Sequence, residues 1–487
     1  MHATVAGFLP TRRLFVVIVA LGLFTMAARN AADPDLWWHL KTGQLIVQSH
    51  HFLRTDPYSL TKHGQQWINH EWLSDVVIFC VYALAGWSGL ILLFGAVIAT
   101  GFMLLYSRCH GRPYMAGIMV LWGAYASAPS WGVRPQMFSF LLGSAFLLIL
   151  ERSYQRPQLL WWVPPLTLVW VNLHAGYALG ISLLALFLCG DLLESLLETD
   201  RPLRAGRIRS LLFVLIICLA VVPLNPNGFR MYTYPLETLR SAAMQKYIVE
   251  WASPNFHAHR YLPLLLMLLA SIVFVPLSSR RVRPRELLIL LAATFATMLA
   301  VRHIPIYVLV AVPILSKLAR EAMRKLTWLP ASQPRSLQDS TKTALNAAIL
   351  VVLSLIAVAR LDAVVRKQPA VEARTFPESA LMFLLSHHLR GPVLNHYNWG
   401  GYFIWKLYPQ YQVYIDGRAD LYGDRAMDGF SATYYLQSSA WEEPLRNWNI
   451  NTVVLPPDAP IVSALPGLPG WKRIYGDAQA VILTRSP

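Results

Sequence analysis

This chain has little charge for its length. Asp, Glu, Lys and Arg together make up 14% of its 487 residues, against 55% hydrophobic residues, a balance that excludes a soluble globular protein of this length. No Gly-rich phosphate loop, no C-x-x-C pair and no low-complexity tract occurs, so neither nucleotide binding nor structural zinc has support from a motif. The four cysteines, Cys80, Cys109, Cys189 and Cys218, stand in or beside apolar segments without ligand spacing, as packing residues do.

What is abundant is apolar sequence in bilayer-length pieces. A helix crosses the hydrocarbon core with roughly 17 to 25 mostly apolar residues, and about eleven such runs precede residue 360. They lie near 14–32, 87–107, 114–130, 135–150, 159–173, 176–196, 208–224, 261–278, 286–301, 303–319 and 343–360. The first run follows Arg12 and Arg13, which would also suit a cleaved signal peptide; an uncleaved first helix is the expectation here. The chain has 42 Lys and Arg against 26 Asp and Glu, a net charge of +16 that would point to nucleic acid in a soluble protein. Its placement says otherwise. Arg12 and Arg13, Arg108 and Arg112, Arg152 and Arg156, Arg201 to Arg209, Arg280 to Arg285 and Lys317 to Lys325 fall on one side of the alternating runs, which the positive-inside rule makes cytoplasmic. The surplus encodes topology and contact with the lipid bilayer, and no nucleic-acid partner is expected.

The opposite face of the cytoplasmic membrane then receives residues 33–86, several short turns and everything after 360. It carries the unusual polar residues, so the chain is expected to work there. Ionisable groups at a membrane edge are costly, and each is a functional candidate. In "AADPDLWWHLKTG", Asp33 or Asp35 could cap a helix starting near Leu36, with Pro34 at its first position. Asp35 and His39 would then share a helix face, as a hydrogen-bonded pair or as two ligands of one metal. Trp37 and Trp38 suit an interfacial aromatic belt or stacking on a sugar. His70 and Glu71 in "INHEWL" read as a cap for the next helix or as a second polar pair facing the acids. Arg134 and Arg302 are outward cations in a chain that keeps its arginines inside; an anionic ligand explains them, with head-group snorkelling as the alternative. Asn172, His174 and His303 stand at helix ends on the same level, where satisfied turn residues are the commoner reading.

After Arg360 the pattern changes to short strands and amphipathic helices: "ESALMFLLSHHL" helix, "PVLNHY" strand, "GYFIWKL" helix, "QVYID" strand, "NTVVLPP" strand, then "KRIYGD" and "AVILTR" as a final hairpin. The expected organisation is a membrane domain over 1–360, with a structured first outer loop at 33–86, and a small extracytoplasmic α/β domain over 361–487. In "IDGRADLYGD", Asp416 and Arg418 sit just past a strand, where open α/β sheets bind ligands, although a strand-end turn alone also calls for Gly and Asp.

A first helix ending in an acidic motif, a structured first outer loop, about eleven helices and a C-terminal outer domain together resemble the GT-C superfamily of membrane glycosyltransferases. "DPDLWWHLKTG", "INHEWL", "VRPQMFSFLL", "VNLHAGYALG", "LNPNGF", "RHIPIYVL" and "IDGRADLYG" are similar, over nearly the whole chain, to bacterial membrane proteins described as glycosyltransferase-like. The resemblance implies transfer of a sugar from a polyprenyl-phosphate donor to an extracytoplasmic acceptor, with a first-loop acid as catalytic carboxylate or metal ligand. Asp35 matches mannosyltransferase-like loops and is the expected base; Asp33 fits the oligosaccharyltransferase pattern better. His39, Trp38, His70, Glu71, Arg134, Asn172, His174, Arg302, His303, Asp416 and Arg418 are the expected substrate-binding set. No second D-x-D motif occurs in the outer loops and no cofactor is certain; a divalent metal, if bound, would draw on Asp33, Asp35, His39 and Glu71. No "WWDYG"-type motif occurs in the tail, which argues against an oligosaccharyltransferase proper. The competing classes are a transporter or flippase of lipid-linked or anionic substrates, and a non-catalytic glycan-binding scaffold.

Overall fold

The computed structural model describes residues 11–109, 113–197, 205–277, 282–325 and 339–486. Arg112, Arg201, Arg204, Arg280 and Arg281 of the basic loops lie outside the described residues. The apolar runs fold as helices: α1 (Thr11–Ala27), α3 (Trp72–Arg108), α4 (Pro113–Ser127), α5 (Gln136–Arg152), α6 (Val163–Leu173), α7 (Tyr177–Leu197), α8 (Ala205–Val221), α11 (Leu262–Leu277), α12 (Pro284–Leu299), α13 (Ile304–Lys325) and α14 (Asp339–Thr375). Between them lie α2 (Leu36–Ser49), which follows α1, and α9 (Arg230–Arg240) and α10 (Ala242–Tyr247), which link α8 to α11. Six helices among the described residues are long and apolar enough to cross a membrane. α13 is the most enclosed of these and packs on α4, α11 and α12, whereas α14 is the most exposed and leans mainly on α1.

Pro313 lies inside α13 and has no N–H for the carbonyl four residues earlier, Leu309 O. The buried Arg108 supplies the missing donor at 2.7 Å while its other nitrogens hold Glu151 at 2.8 and 3.0 Å. This end of the bundle carries further paired bases: Asp191 takes Arg207 at 2.8 Å and Arg285 at 2.9 Å, and Lys317 takes Glu286 at 2.8 Å. The polar residues singled out in the sequence come from the connections at the other end.

α3 contains a break at Gly86, whose φ of +55° only glycine adopts without strain. It separates a first segment, 72–85, from the apolar run 87–107. α14 runs unbroken through residue 360, past the expected domain boundary, so the last apolar span and the start of the tail are one helix.

The tail builds α15 (Glu378–Ser386), β1 (Val393–Asn395), α16 (Gly400–Leu407), α17 (Ala419–Tyr434), α18 (Glu443–Asn447), β2 (Thr452–Leu455), α19 (Pro460–Ala464), β3 (Trp471–Gly476) and β4 (Val481–Arg485). The strands form one sheet in the order β1-β2-β4-β3, with β1 and β2 parallel and the β3–β4 hairpin antiparallel, as expected. "QVYID" departs from its expected strand. Val413 makes isolated bridges to Ser59 and Val393, and the Asn395 side chain takes the place of a ladder by accepting from Tyr414 N at 2.8 Å and donating to Ile415 O at 2.7 Å.

That departure laces the tail to the first loop. Leu60 N donates to Val413 O at 2.8 Å and Val413 N to Tyr58 O at 3.2 Å. Arg418, 2% exposed, joins Asp416 at 2.6 Å and the first-loop Asp56 at 2.8 Å, with its guanidinium over the rings of Trp67 and Tyr58. Removing one member of such a buried network leaves uncompensated charge, costing about 3–5 kcal/mol. Arg418→Met, which leaves two buried carboxylates, should therefore lower thermal stability sharply in detergent, and Asp56→Asn by less, as read by the melting temperature of the purified protein.

Candidate active site

Asp35 and Glu71 occupy equivalent places: each is the N-cap residue of its helix, α2 and α3, and neither side chain makes the capping hydrogen bond the sequence suggested. Both carboxylates turn instead into one cavity of about 940 Å³ between the bundle and the tail. Asp33 does the local work. Its Oδ1 accepts from Asp35 N at 2.9 Å, and its Oδ2 pairs with Arg134, which also pairs with Glu250. Asp33 thus fixes the backbone that presents Asp35.

The Asp35 carboxylate is reached from the cavity but enclosed by protein on its other sides. Burial pushes its pKa up to about 7; His39 and the Trp38 Nε1–H bond at 3.3 Å pull the other way, and Glu250 and Asp416 add to the rise. Gly417 of the tail lies directly over it, so close that a Cβ there would collide with Asp35 Oδ1. The Tyr397 hydroxyl donates to Gly417 O at 3.2 Å, and burial, with Asp35 nearby, keeps that phenol protonated.

Glu71 is the hub of a histidine cluster. His70 Nε2 lies at 2.9 Å, His174 Nε2 at 3.4 Å and His39 Nε2 at 3.5 Å from its oxygens. Burial alone would raise the Glu71 pKa, but the three imidazoles outweigh it and hold it down at about 2. Burial disfavours charge on His39 and His70, yet the Asp75 bond at 2.6 Å for His39, and Glu71 for both, hold their pKa values above the ordinary histidine range. His174 is different: burial lowers its pKa to about 4, and its Nδ1 accepts from Gly176 N at 2.9 Å and pairs with Ser139 Oγ at 2.7 Å, leaving Nε2–H for Glu71.

Two arginines were expected to be open to an anion. Arg134 lines the cavity but is consumed by Asp33 and Glu250. Arg302 lines it too, with its guanidinium 4.4 Å over the Trp251 ring, and among the described residues it makes no hydrogen bond or ion pair. The wall beyond it is apolar, from α7, α12 and α13. Phe295 and Leu299 of α12 line this apolar wall and are 67% and 55% exposed.

Other expected residues fall elsewhere. Trp37 is packed among Trp87, Phe376 and Tyr402, and Trp38 against Trp67 and His39; both are core residues, not a belt at the lipid surface. Only Trp38 lines the cavity. Asn172 accepts from Trp72 Nε1 at 2.8 Å and donates to Leu168 O, away from the cavity. His303 faces it but its Nδ1 is spent on Ala296 O at 2.9 Å. Asp416 is fully buried, with both oxygens on Arg418 and one also on Tyr422. The four candidate metal ligands do not form one ligand set: Asp33 is held by Arg134, while Glu71 and His39 are taken up by their contacts with histidines and Asp75, and among the described residues no cluster of three His, Cys, Asp or Glu is set to hold an ion. Asp420, Glu250, Tyr234 and Tyr397 line the cavity without having been singled out, though Asp420 lies in the motif "IDGRADLYG".

No family model and no curated protein matches the chain. Solved structures do. The archaeal oligosaccharyltransferase AglB from Archaeoglobus fulgidus, in complex with an inhibitory peptide and a dolichol-phosphate, superposes with a TM-score of 0.55 at 10% identity, over 98% of this chain and 74% of that one. ArnT from Cupriavidus metallidurans, bound to undecaprenyl phosphate, reaches 0.48 at 15% identity over 96% of this chain and 97% of its own. The arabinofuranosyltransferase AftD from Mycobacteria reaches 0.48 at 15% identity over 98% of this chain and 42% of its own. The likeness to AglB is one of fold: this chain shares that protein's overall architecture.

A methyl group at residue 417 tests the contact between tail and first-loop acid directly. Gly417→Ala should displace the Asp35 carboxylate while leaving the Arg418 network intact, so that activity falls at least tenfold, about 1.4 kcal/mol in the barrier, with little change in melting temperature.

Proposed function

We propose that the protein is a polytopic glycosyltransferase of the cytoplasmic membrane, with about eleven spans, which moves a sugar from a polyprenyl-phosphate donor to an acceptor on the extracytoplasmic face. The observation that carries this reading is the meeting of Asp35 with Arg302, which makes no ion pair among the described residues, in one cavity with an apolar wall. An amphipathic donor needs those parts together: a lipid-facing slot for its isoprenoid chain, a cation for its phosphate, and a carboxylate near its anomeric carbon. A scaffold without chemistry would not require that convergence. A transporter's coupling acids would be expected deeper within the spans, whereas these stand at helix starts in the first loop.

In the proposed reaction the acceptor hydroxyl oxygen attacks the anomeric carbon and its proton passes to Asp35. The bond from that carbon to the phosphate oxygen breaks, and the electron pair leaves with the polyprenyl phosphate. Because the leaving group is already a good one, a single base suffices, unlike the acid and base pair of a glycosidase. Arg302 stabilises the second negative charge that develops on the phosphate, in a site where low dielectric strengthens the interaction. Asp33 and Arg134 act as positioning residues, and the Glu71 cluster holds the floor of the site rigid.

With purified protein and a polyprenyl-phosphate hexose, Asp35→Asn should abolish transfer while expression and melting temperature are retained; full turnover in that variant would overturn the assignment. Asp35 acts as a base only when ionised, so the wild-type rate should rise with pH through about 7 and level off above it. Arg302→Ala should lower kcat by about 10²- to 10³-fold, the cost of losing one transition-state donor, and Arg302→Lys should restore part of it.

A further inference from the structure

α9 carries three faces. Phe229, just before it, and Tyr232, Leu236 and Leu239 repeat at helical spacing and are exposed, Phe229 by 77% and Leu236 by 53%. Arg230, Thr233, Glu237 and Arg240 repeat with the same spacing on the polar side. Tyr234, Pro235 and Thr238 line the cavity, as does Leu239, which stands where the stripe meets it. A helix bounded by a solvated face, a cavity and an uncovered apolar stripe lies where three media meet.

Its height is set by α8. The Tyr232 hydroxyl donates to Leu219 O at 2.6 Å in the last turn of α8, and α8, one of the helices fit to cross a membrane, exposes Leu212, Phe213, Ile216 and Leu219. The stripe on α9 is thus continuous with a lipid-facing surface. From above, the segment is held by carboxylates of α17: Tyr234 donates to Asp420 at 3.1 Å, Ser241 Oγ to Asp424 at 2.6 Å, and Lys246 to Asp428 at 3.2 Å.

We propose that α9 lies in the head-group layer of the leaflet at the cavity end, with the bilayer itself as partner of its apolar stripe, and that it forms the sill over which a lipid-linked ligand enters the cavity. The sill role rests on the transferase reading; the membrane contact does not. An interfacial helix of this kind gains from burying its apolar face at the acyl boundary while its charged face stays in water.

The test uses the full chain in lipid nanodiscs, with Cys80, Cys109 and Cys189 replaced by Ser and the buried Cys218 retained. Spin labels are placed by Leu236→Cys or Glu237→Cys, and collisional access to oxygen and to a water-soluble nickel chelate is compared. At residue 236 oxygen should dominate, and at 237 the nickel chelate. Nickel dominance at both, or shielding of 236 from both as a protein partner would give, overturns the proposal. In turnover assays Leu236→Glu should raise KM for the lipid-linked donor with kcat unchanged; an unchanged KM overturns the sill role. The labelling needs no turnover, so failure of the transferase reading is distinguishable from failure of this one.

Discussion

Everything at the cavity depends on the buried guanidinium of Arg418. It draws Asp416 of the tail and Asp56 of the first loop onto one cation, out of water, between the faces of Trp67 and Tyr58. Taking a carboxylate out of water to that depth without a partner cation would cost several kcal/mol. Once they are joined, the residue between Asp416 and Arg418 has only one place to go, over Asp35, and only glycine fits there. The tail therefore forms part of the site's roof and helps set the environment that raises the Asp35 pKa.

The same economy of charge governs the rest of the site. Burying an ionisable group is tolerated when it is paired, and here nearly every one is: Arg134 with two acids, Glu71 with three imidazoles, His39 with Asp75. Against that background Arg302, resting on Trp251, makes no ion pair among the described residues, which is why the proposed reaction gives it the donor phosphate. The neutral His174 contributes the complementary feature, a hydrogen-bond donor without a charge.

How much of this was legible in the sequence follows from the range of each interaction. Helices, the final hairpin and the end of the bundle to which polar residues belong are local or alternating patterns, and they were readable. So was the convergence of Asp35, His39, His70, Glu71, Arg134, His174 and Arg302, because they share helix ends on one side. What a residue does once there was less readable. Asp416 and Asp420 sit four apart in one motif, yet the first is consumed in the core and the second faces the cavity, a choice made by a first-loop partner some 360 positions away in sequence. Trp37 and Trp38 carried the composition of an interfacial belt, but Phe376 and Tyr402 cover Trp37, and Trp38 packs on Trp67 of the first loop. "QVYID" had the alternation of a strand and lost its ladder to one asparagine side chain.

The clasp between Asp33, Arg134 and Glu250 gives the molecule a mechanical property beyond charge balance. Glu250 belongs to the connection that follows α10, Arg134 to the turn before α5, and Asp33 to the backbone that carries Asp35. The contacts run in series from Glu250 to the amide of residue 35, so a displacement of the connection after α10 would reach the Asp35 backbone through two side chains.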